Sequence, residues 1–358
     1  MLLTKTAETT KPGAIAARHS IFVATTRAAA ADRLEVFSGE RAAQPAYAKI
    51  DVTVPAAHKV GQIERRPGAV ADAGRYFTAT DVSVFSRSAY ANALKQEIAR
   101  NGGRALIFVH GFNTSFDSAV YRMTQIVHDT GYRGAPVLFT WASRGRALDY
   151  VYDTNSATAA RDALEDTLRL VAASGARQID LVSHSMGTWV TMEALRQLAI
   201  GGDPTLGGKL SSVMLASPDI DIDVFKEQMR RYGKPAQPFA LLLSSDDKAL
   251  RLSTLIAGNT SRAGDYADAA ELAQLGVVVV DLSQIKGDRL NHTKFAENPI
   301  VIKLIGDGLN NETGSQPDER TISDRVGQLT RDFGQTLGSA AEIVVTTPVS
   351  VLRVVVGR

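Results

Sequence analysis

Apolar positions along the chain form short runs that alternate with amphipathic stretches. Near the N-terminus, three runs rich in β-branched residues are separated by Gly, Pro and charged residues, a pattern typical of antiparallel strands. These runs are SIFVATTR (20–27), AKIDVTVP (48–55) and YFTATDVSVF (76–85). After them the pattern changes, because apolar runs now alternate with segments whose apolar residues recur every three or four positions.

This second pattern predicts strands and helices in alternation. The runs are RALIFVHG (104–111), PVLFTWAS (136–143), QIDLVSHS (178–185), SSVMLAS (211–217), PFALLLSS (238–245) and GVVVVDLS (276–283), and helices are predicted over 116–130, 155–174, 186–200 and 296–308. Apolar strands separated by helices indicate a mostly parallel sheet with helices on both faces. Functional residues are expected at the carboxyl ends of such strands.

The same patterns divide the chain into three segments. Residues 1–18 are small and polar and are predicted to be a flexible tail, whereas residues 19–308 form the main domain. Residues 309–358 are predicted to be a polar linker, an amphipathic helix and an apolar end interrupted by proline and arginine. That end either docks on the main domain or contacts a membrane surface or a protein partner. The helix is predicted from apolar residues at three- and four-residue spacing, Ile322, Val326, Leu329, Phe333 and Leu337.

Composition excludes several classes of function. The 358 residues include 40 Lys and Arg against 38 Asp and Glu, and no long basic run interleaved with aromatics occurs, so nucleic acid is not expected as a partner. The absence of cysteine excludes disulfides, thiolate metal sites and a cysteine nucleophile. No HExxH-type motif occurs, and no metal is expected.

The hydropathy of the chain indicates the expected cellular location. No uninterrupted apolar stretch resembles a secretory signal or reaches the roughly 20 residues of a membrane span. This predicts a soluble, cytoplasmic protein. A signal peptide removed earlier would leave the same sequence, so a periplasmic or peripheral membrane location stays open.

The segment Ser183-His184-Ser185-Met186-Gly187 lies where a strand ends and a helix begins. It is a variant of the G-x-S-x-G nucleophile elbow, a sharp turn that presents a serine hydroxyl above the sheet. Serine replaces the first glycine at position 183, and it is still small enough for the turn. The pattern predicts Ser185 as a nucleophile.

A serine nucleophile needs a base and an orienting acid, which follow it in chain order on such a fold. Among the six histidines only His292, in the loop before the last helix, lies beyond the elbow and its helix, so it is the predicted base. The predicted acid is Asp247, with Asp246 or Asp219 as alternatives, and Asp221 and Asp223 lie in the same candidate segment as Asp219. Capping of a helix N-terminus is the competing explanation for these aspartates.

The tetrahedral intermediate that a serine nucleophile forms also needs hydrogen-bond donors for its oxyanion. The backbone N–H of Met186, directly after Ser185, is one predicted donor. The second is the N–H of Phe112 in the segment HGFN (110–113), where Gly111 allows the backbone to bend. His110 and Asn113 are expected to brace this loop by hydrogen bonds.

With HGFN, SHSMG, SPDID (217–221), SSDDKAL (244–250) and NHTKF (291–295), the chain resembles the α/β-hydrolase superfamily over about residues 19–308. It is similar to a bacterial branch of unknown function usually labelled esterase- or lipase-like, which FVATTR and FSGER also resemble. The resemblance implies a three-layer α/β sandwich with antiparallel N-terminal strands, a serine-hydrolase mechanism with an acyl-enzyme intermediate, and no cofactor. It assigns the nucleophile to Ser185, the base to His292, the acid to Asp247 and the oxyanion donors to Phe112 and Met186.

The expected activity is cleavage of a small-molecule carboxylic ester, and the same groups also serve amides, thioesters and acyl transfer. The segment 141–156 carries Trp141, Arg144, Tyr150 and Tyr152, which either line the substrate pocket or pack in the interior. Too few residues separate SPDID from FALLLSS for a large lid, which favours small or accessible esters. The alternative function is a catalytically weak hydrolase fold that acts as an envelope or protein-interaction module through the segment after residue 309.

Overall fold

The computed structural model describes residues 2–3, 6–7, 13–67, 70–310 and 341–356. The amphipathic helix predicted around Ile322–Leu337 lies outside the described residues. The chain divides into two compact units, Met1–Asp180 and Leu181–Arg358.

The strands of the first unit confirm the predicted mixture of antiparallel and parallel pairing. They are β1 (Thr6–Ala7), β2 (Ile15–Ala29), β3 (Phe37–Pro55), β4 (Val70–Ala71), β5 (Thr78–Phe85), β6 (Arg104–Val109) and β7 (Ala135–Thr140). β3 pairs antiparallel with β2 and β5, whereas β7 pairs parallel with β2 and β6. Within the described residues, β1 pairs with β4 in parallel and with no other strand. Because β2 begins at Ile15, residues 15–18 of the predicted tail belong to a strand.

The helices described in this unit are α1 (Arg87–Arg100), α2 (Phe116–Asp129), α3 (Tyr150–Ala159) and α4 (Arg161–Ala173). The sequence pattern did not predict α1, which begins where the Ser86 hydroxyl accepts the N–H of Ala89. The helix predicted over 155–174 is interrupted at Ala160, whose N–H bonds to the carbonyls of Ser156 and Ala157. α2 agrees with its prediction within one residue.

β8 (Gln178–His184) begins in the last residues of the first unit and ends in the second. The other strands of the second unit are β9 (Leu210–Ala216), β10 (Phe239–Leu243), β11 (Val277–Asp281), β12 (Ala341–Thr346) and β13 (Val351–Val356). β10 pairs parallel with β9 and β11, as predicted. β9, β10 and β11 bury most of their residues, as expected of strands covered on both faces.

The helices of the second unit follow the parallel strands. They are α5 (Met186–Ile200), α6 (Ile222–Tyr232), α7 (Lys248–Ile256), α8 (Ala269–Gln274), α9 (Lys294–Glu297) and α10 (Pro299–Asn310). Aspartates cap three of them, since Asp221, Asp247 and Asp268 accept backbone N–H groups of α6, α7 and α8. The sequence pattern predicts α5 and the region of α9 and α10, but not α6, α7 or α8.

The apolar end of the chain forms a β-hairpin. β12 pairs antiparallel with β11 and with β13. The side chains of Ile343 and Val345 are fully buried, so this part of the predicted appendage is packed within the second unit. Contact with a membrane or partner through this segment stays a prediction. No helix within the described ranges is both long and apolar enough to cross a bilayer.

Candidate active site

Ser185 lies at the turn between β8 and α5 with φ 52° and ψ −127°. A positive φ is sterically unfavourable for a residue with a β-carbon, so this turn is strained in the manner of a nucleophile elbow. Its N–H donates to the carbonyl of Ala216 at the end of β9, at 2.9 Å. Its carbonyl accepts the N–H and the hydroxyl of Thr188, at 2.9 and 2.6 Å. These bonds fix the turn on both sides of the serine.

Small residues surround the turn, as the sequence pattern required. Ser183 and Gly187 are both buried. The hydroxyl of Ser183 finds no hydrogen-bond partner among the described residues, and a buried unpaired hydroxyl costs about 1–3 kcal/mol. The replacement of glycine at position 183 is therefore sterically accommodated, but it carries this energetic cost.

Asp247 and His292 are hydrogen-bonded, with 2.7 Å between Oδ2 of the aspartate and Nδ1 of the imidazole. The Asp247 side chain is fully buried and that of His292 is 14% exposed. The other carboxylate oxygen, Oδ1, accepts the N–H groups of Ala249 and Leu250 and caps α7. Orientation of the histidine and helix capping, which the sequence analysis treated as competing explanations, are thus both present in one side chain.

The alternative aspartates are engaged elsewhere. Asp246 accepts hydrogen bonds from Lys294 Nζ at 2.6 Å and Asn291 Nδ2 at 2.8 Å. Asp219 accepts the hydroxyl of Ser253 at 2.5 Å and pairs with Arg262 at 3.2 Å. The carboxylate that the structure brings to Nδ1 of His292 is that of Asp247.

Asp288 holds the loop that carries His292. Its carboxylate accepts the backbone N–H groups of Leu290, His292 and Thr293, at 3.0, 2.7 and 3.1 Å. Partial burial raises the pKa of Asp288, but these backbone hydrogen bonds outweigh burial and leave the pKa below its ordinary value. The sequence analysis missed Asp288, although an aspartate followed by polar turn residues is a known signal of such a loop.

His184 connects the serine turn to the histidine loop. Its Nε2 lies 3.1 Å from the carbonyl oxygen of His292, and the two ring centroids are 4.7 Å apart. Ser217, after β9, donates its hydroxyl to the same carbonyl at 3.2 Å. Among the described residues, Ser185 Oγ forms no hydrogen bond with the imidazole of His292. Catalytic hydrogen bonds are often longer in the free enzyme than in the substrate complex.

Phe112, the predicted oxyanion donor of the first unit, lies in a loop that its neighbours hold firmly. Nε2 of His110 lies 2.8 Å from the hydroxyl of Thr140, and the indole N–H of Trp141 donates to the carbonyl of His110 at 2.9 Å. Burial, followed by the charge of Arg27, lowers the pKa of His110 to about 3. His110 is therefore neutral at pH 7 and braces the loop, as expected from the sequence.

Asn113 contributes through its backbone. Its φ is 56°, and its N–H donates to Asp153 Oδ2 at 3.3 Å. The hydroxyl of Ser143 also donates to Asp153, at 2.5 Å, and accepts the N–H of Thr114 at 3.0 Å. The expected brace at position 113 is thus supplied by the main chain, with Asp153 as its acceptor.

Arg27 is a buried residue that the sequence analysis missed. Its guanidinium donates to the carbonyls of Ser38, Ser143 and Thr114 at 3.1, 2.8 and 2.7 Å, and to the hydroxyl of Thr140 at 2.8 Å. An arginine inside an apolar strand gives no sequence signal of this role. The hydrogen bonds of the Arg27 guanidinium connect the Phe112 loop to the end of β7.

The aromatic residues of segment 141–156 have different roles. Trp141 is fully buried and stacks on His110 with ring centroids 5.0 Å apart, so it packs in the interior rather than lining a pocket. Tyr150 contacts the ring of Phe112 edge to face at 5.1 Å. The guanidinium of Arg144 lies over the ring of Tyr152 at 3.7 Å and lines a cavity of about 360 Å³ in the first unit.

Comparison with known proteins identifies the fold. A family model described as "Alpha/beta hydrolase of unknown function (DUF900)" matches residues 86–308, more than half of the chain. This confirms the predicted α/β-hydrolase fold class. No curated protein matches the chain.

Solved structures similar to the chain include a lipase and an esterase. Aspergillus fumigatus lipase B is 13% identical over 64% of this chain and 58% of its own, with a TM-score of 0.38. This chain therefore spans less than two thirds of that lipase. The Pyrobaculum calidifontis esterase, in its monoclinic form, is 12% identical over 74% of this chain and 81% of its own, with a TM-score of 0.35.

Proposed function

The chain belongs to the alpha/beta hydrolases of unknown function whose family model matches residues 86–308, and on that basis we propose that it is a serine hydrolase acting on carboxylic esters. The observation that supports this most is the Asp247–His292 hydrogen bond at 2.7 Å, in the unit that also contains the strained turn at Ser185. The contact of His184 with His292 adds support, because His184 precedes Ser185 directly.

In the proposed mechanism, Asp247 accepts a hydrogen bond from Nδ1–H of His292, which keeps the proton on Nδ1 and leaves the lone pair on Nε2. Substrate binding brings Ser185 Oγ within reach of Nε2. The serine oxygen then attacks the ester carbonyl carbon while its proton passes to Nε2. The buried carboxylate of Asp247 stabilises the imidazolium that forms.

The attack places a negative charge on the former carbonyl oxygen. The N–H of Met186, at the start of α5, and the N–H of Phe112 are the proposed donors to this oxyanion, and loss of one such donor typically costs about 3–4 kcal/mol of barrier. When the intermediate collapses, the imidazolium gives its proton to the departing alcohol and an acyl-serine remains. Water, deprotonated by Nε2, then releases the acid and restores the serine.

The proposed substrates are small or accessible esters. Between β9 and β10 the chain has room for α6 and its connections, and no further helix intervenes there in the described chain. Lids that cover long acyl chains are usually larger insertions. We therefore expect turnover to fall as the acyl chain of a chromogenic ester is lengthened, and His292→Ala to abolish it throughout the series.

Covalent labelling tests the nucleophile directly. A fluorophosphonate probe loses fluoride when an activated serine oxygen attacks its phosphorus, so the wild-type chain should be labelled and Ser185→Ala should not. Ser183→Ala is the matched control, because it removes a buried hydroxyl two residues away and should still be labelled. Absence of labelling in folded wild-type protein, or equal labelling of Ser185→Ala, would refute the proposal.

A further inference from the structure

A cluster of histidines and carboxylates lies in the first unit and has no part in the proposed hydrolysis. His19 is on β2, and His58 and Glu64 are in the segment that follows β3. His128 and Asp129 form the C-terminal end of α2. In this cluster, called the histidine cluster below, His19 and His128 are in contact although 109 positions separate them in the sequence.

Three members of the histidine cluster present metal-binding atoms to one another. One such atom each of His58, His128 and Asp129 lies within 4.8 Å of the other two. Two imidazole nitrogens and a carboxylate oxygen are a common donor set for zinc and neighbouring divalent metals. Tetrahedral ligands at about 2.1 Å from a metal lie about 3.4 Å apart, so the 2.7 Å between His58 Nε2 and Asp129 Oδ1 would have to open only slightly.

The imidazoles of His58 and His128 each make a further contact through Nδ1. Nδ1 of His58 lies 2.8 Å from Glu64 Oε2, and Nδ1 of His128 lies 3.3 Å from Nε2 of His19. Histidine ligands in metal sites usually make such a hydrogen bond through the ring, and it fixes the tautomer and the orientation of the ring. The histidine cluster therefore contains the outer contacts of a metal site as well as its ligands.

Asp129 is held in the same way. Its side chain is fully buried, and Oδ2 accepts hydrogen bonds from the N–H of Gly61 at 2.8 Å and from Nε2 of Gln125 at 2.5 Å. This leaves Oδ1 directed at His58.

The charge of the cluster favours a divalent cation. Within the described part of the chain, Asp129 and Glu64 each pair with His58 and with no lysine or arginine. A histidine must be neutral to bind a metal; with His58 in that state the cluster holds two negative charges, one of them fully buried, and a buried charge needs a counter-charge. One divalent ion balances both.

We propose that His58, His128 and Asp129 bind one divalent transition-metal ion of the zinc class, with Glu64 and His19 as outer partners. The ion would fasten the segment that follows β3 to the end of α2, and water would complete its coordination beside the three protein ligands. Such a site stabilises the folded chain because the unfolded chain does not hold the three ligands together. The site is independent of the proposed hydrolysis.

Cobalt titration of the full-length chain, after treatment with EDTA, tests the site. Co²⁺ should bind with one equivalent and give the visible absorption of a low-coordinate site with nitrogen and oxygen ligands, and Zn²⁺ should displace it. Zn²⁺ should also raise the melting temperature of the wild-type chain. Asp129→Asn and His128→Gln should lose the absorption and the thermal shift, and Glu64→Gln should weaken binding about 10- to 100-fold.

His292→Gln is the matched control, because it removes a histidine–aspartate pair elsewhere and should still bind one equivalent. The measurements do not depend on hydrolysis, so the metal site and the proposed function succeed or fail separately. Undiminished binding in Asp129→Asn and His128→Gln would overturn the proposal. If those variants do not fold, the wild-type chain decides: no stoichiometric binding of Co²⁺ or Zn²⁺ would mean that the cluster is an ion-paired element of the core.

Discussion

Asp247 and His292, 45 residues apart in the sequence, meet at 2.7 Å between Oδ2 and Nδ1. The same carboxylate caps α7 through Oδ1, which accepts the N–H groups of Ala249 and Leu250. One aspartate therefore fixes the helix and the imidazole relative to each other. The two tasks can be separated by substitution, because they use different oxygens.

Asp247→Asn should abolish activity while α7 stays intact. Asparagine caps helices about as well as aspartate, but its amide carries no charge and can force the wrong imidazole tautomer. In serine hydrolases this change lowers kcat by about 10⁴-fold. We expect a decrease of about 10³- to 10⁴-fold in ester turnover, measured as kcat, with a circular dichroism spectrum like that of the wild type.

Asp246→Asn is the neighbouring control. Asp246 bonds to Lys294 and Asn291, so its loss should disturb the loop and lower kcat much less than Asp247→Asn does. If the two variants lost activity equally, Asp247 would not be the specific partner of the base.

Asp288 should act as a positioning residue. Asp288→Ala removes the acceptor of three backbone N–H groups around His292, and misplacement of a catalytic group by about 1 Å can cost about 10²-fold in rate. Asp288→Asn keeps one acceptor oxygen and should restore most of kcat. A purely structural role would instead lower stability in both variants and leave kcat of the folded protein unchanged.

The stability of the chain should depend on Asp288 in acid. Its pKa in the folded chain lies below the ordinary value of 3.8, so the folded state binds this proton less readily than the unfolded state. The stabilisation is present above the unfolded pKa and is lost as the pH falls through the folded pKa. Urea unfolding at about pH 6 and about pH 3 measures this effect. The free energy of unfolding should decrease less between these two pH values for Asp288→Asn than for the wild type.

Arg27→Met should destabilise the chain by about 3–5 kcal/mol, because it leaves several buried acceptors without a donor. Arg27→Lys should recover little, since an ammonium group cannot reproduce the guanidinium fork. Because Arg27 holds the loop of Phe112, the proposed oxyanion donor, the folded variants should show a larger fold-decrease in kcat than fold-change in KM. Urea unfolding and ester kinetics measure the two effects.

Arg41→Met provides the comparison for Arg27. Arg41 is exposed on β3, with its guanidinium over the ring of Tyr152, and exposed substitutions usually change stability by no more than about 0.5 kcal/mol. A similar loss of stability in Arg27→Met and Arg41→Met would contradict the role assigned to the buried guanidinium of Arg27.

Ile343→Ala in β12 should lower the free energy of unfolding by about 2–5 kcal/mol, because it leaves a cavity where a fully buried side chain packs. Val351→Ala in β13 removes a side chain that is 59% exposed and should cost less than about 0.5 kcal/mol. Denaturant unfolding compares the two. Equal, small effects would indicate that the hairpin does not contribute to the packing of the second unit.

Strands were easier to predict than helices in this chain. β6 to β11 stand out as continuous apolar runs, whereas α6 and α7 have only 11 and 9 residues. In α1 the buried residues are Tyr90, Leu94 and Ile98, and this narrow stripe is hard to distinguish from a loop. The hairpin of β12 and β13 was predicted only as an apolar end, because its pairing with β11 depends on residues far away in the sequence.

Some residues of the candidate site could be predicted from the sequence and others could not. Position in the chain selected His292, because it is the histidine beyond the elbow, but position could not choose between Asp246 and Asp247. These neighbours point in different directions, and only the geometry of the turn before α7 directs the second toward His292. Arg27 acts through backbone groups of distant segments, which no sequence pattern records, whereas Asp288 acts within its own loop, where an aspartate followed by polar residues is a turn signal.

The sequence by itself determined the alternation of strands and helices, the small residues around Ser185 and the order of the candidate residues, because periodicity, side-chain size and order are properties of the chain alone. The tertiary structure decided which carboxylate reaches His292, that Trp141 is interior and that the histidine cluster assembles. Those outcomes depend on strand register and on the direction of each side chain at a turn, and both are set only when distant segments pack together.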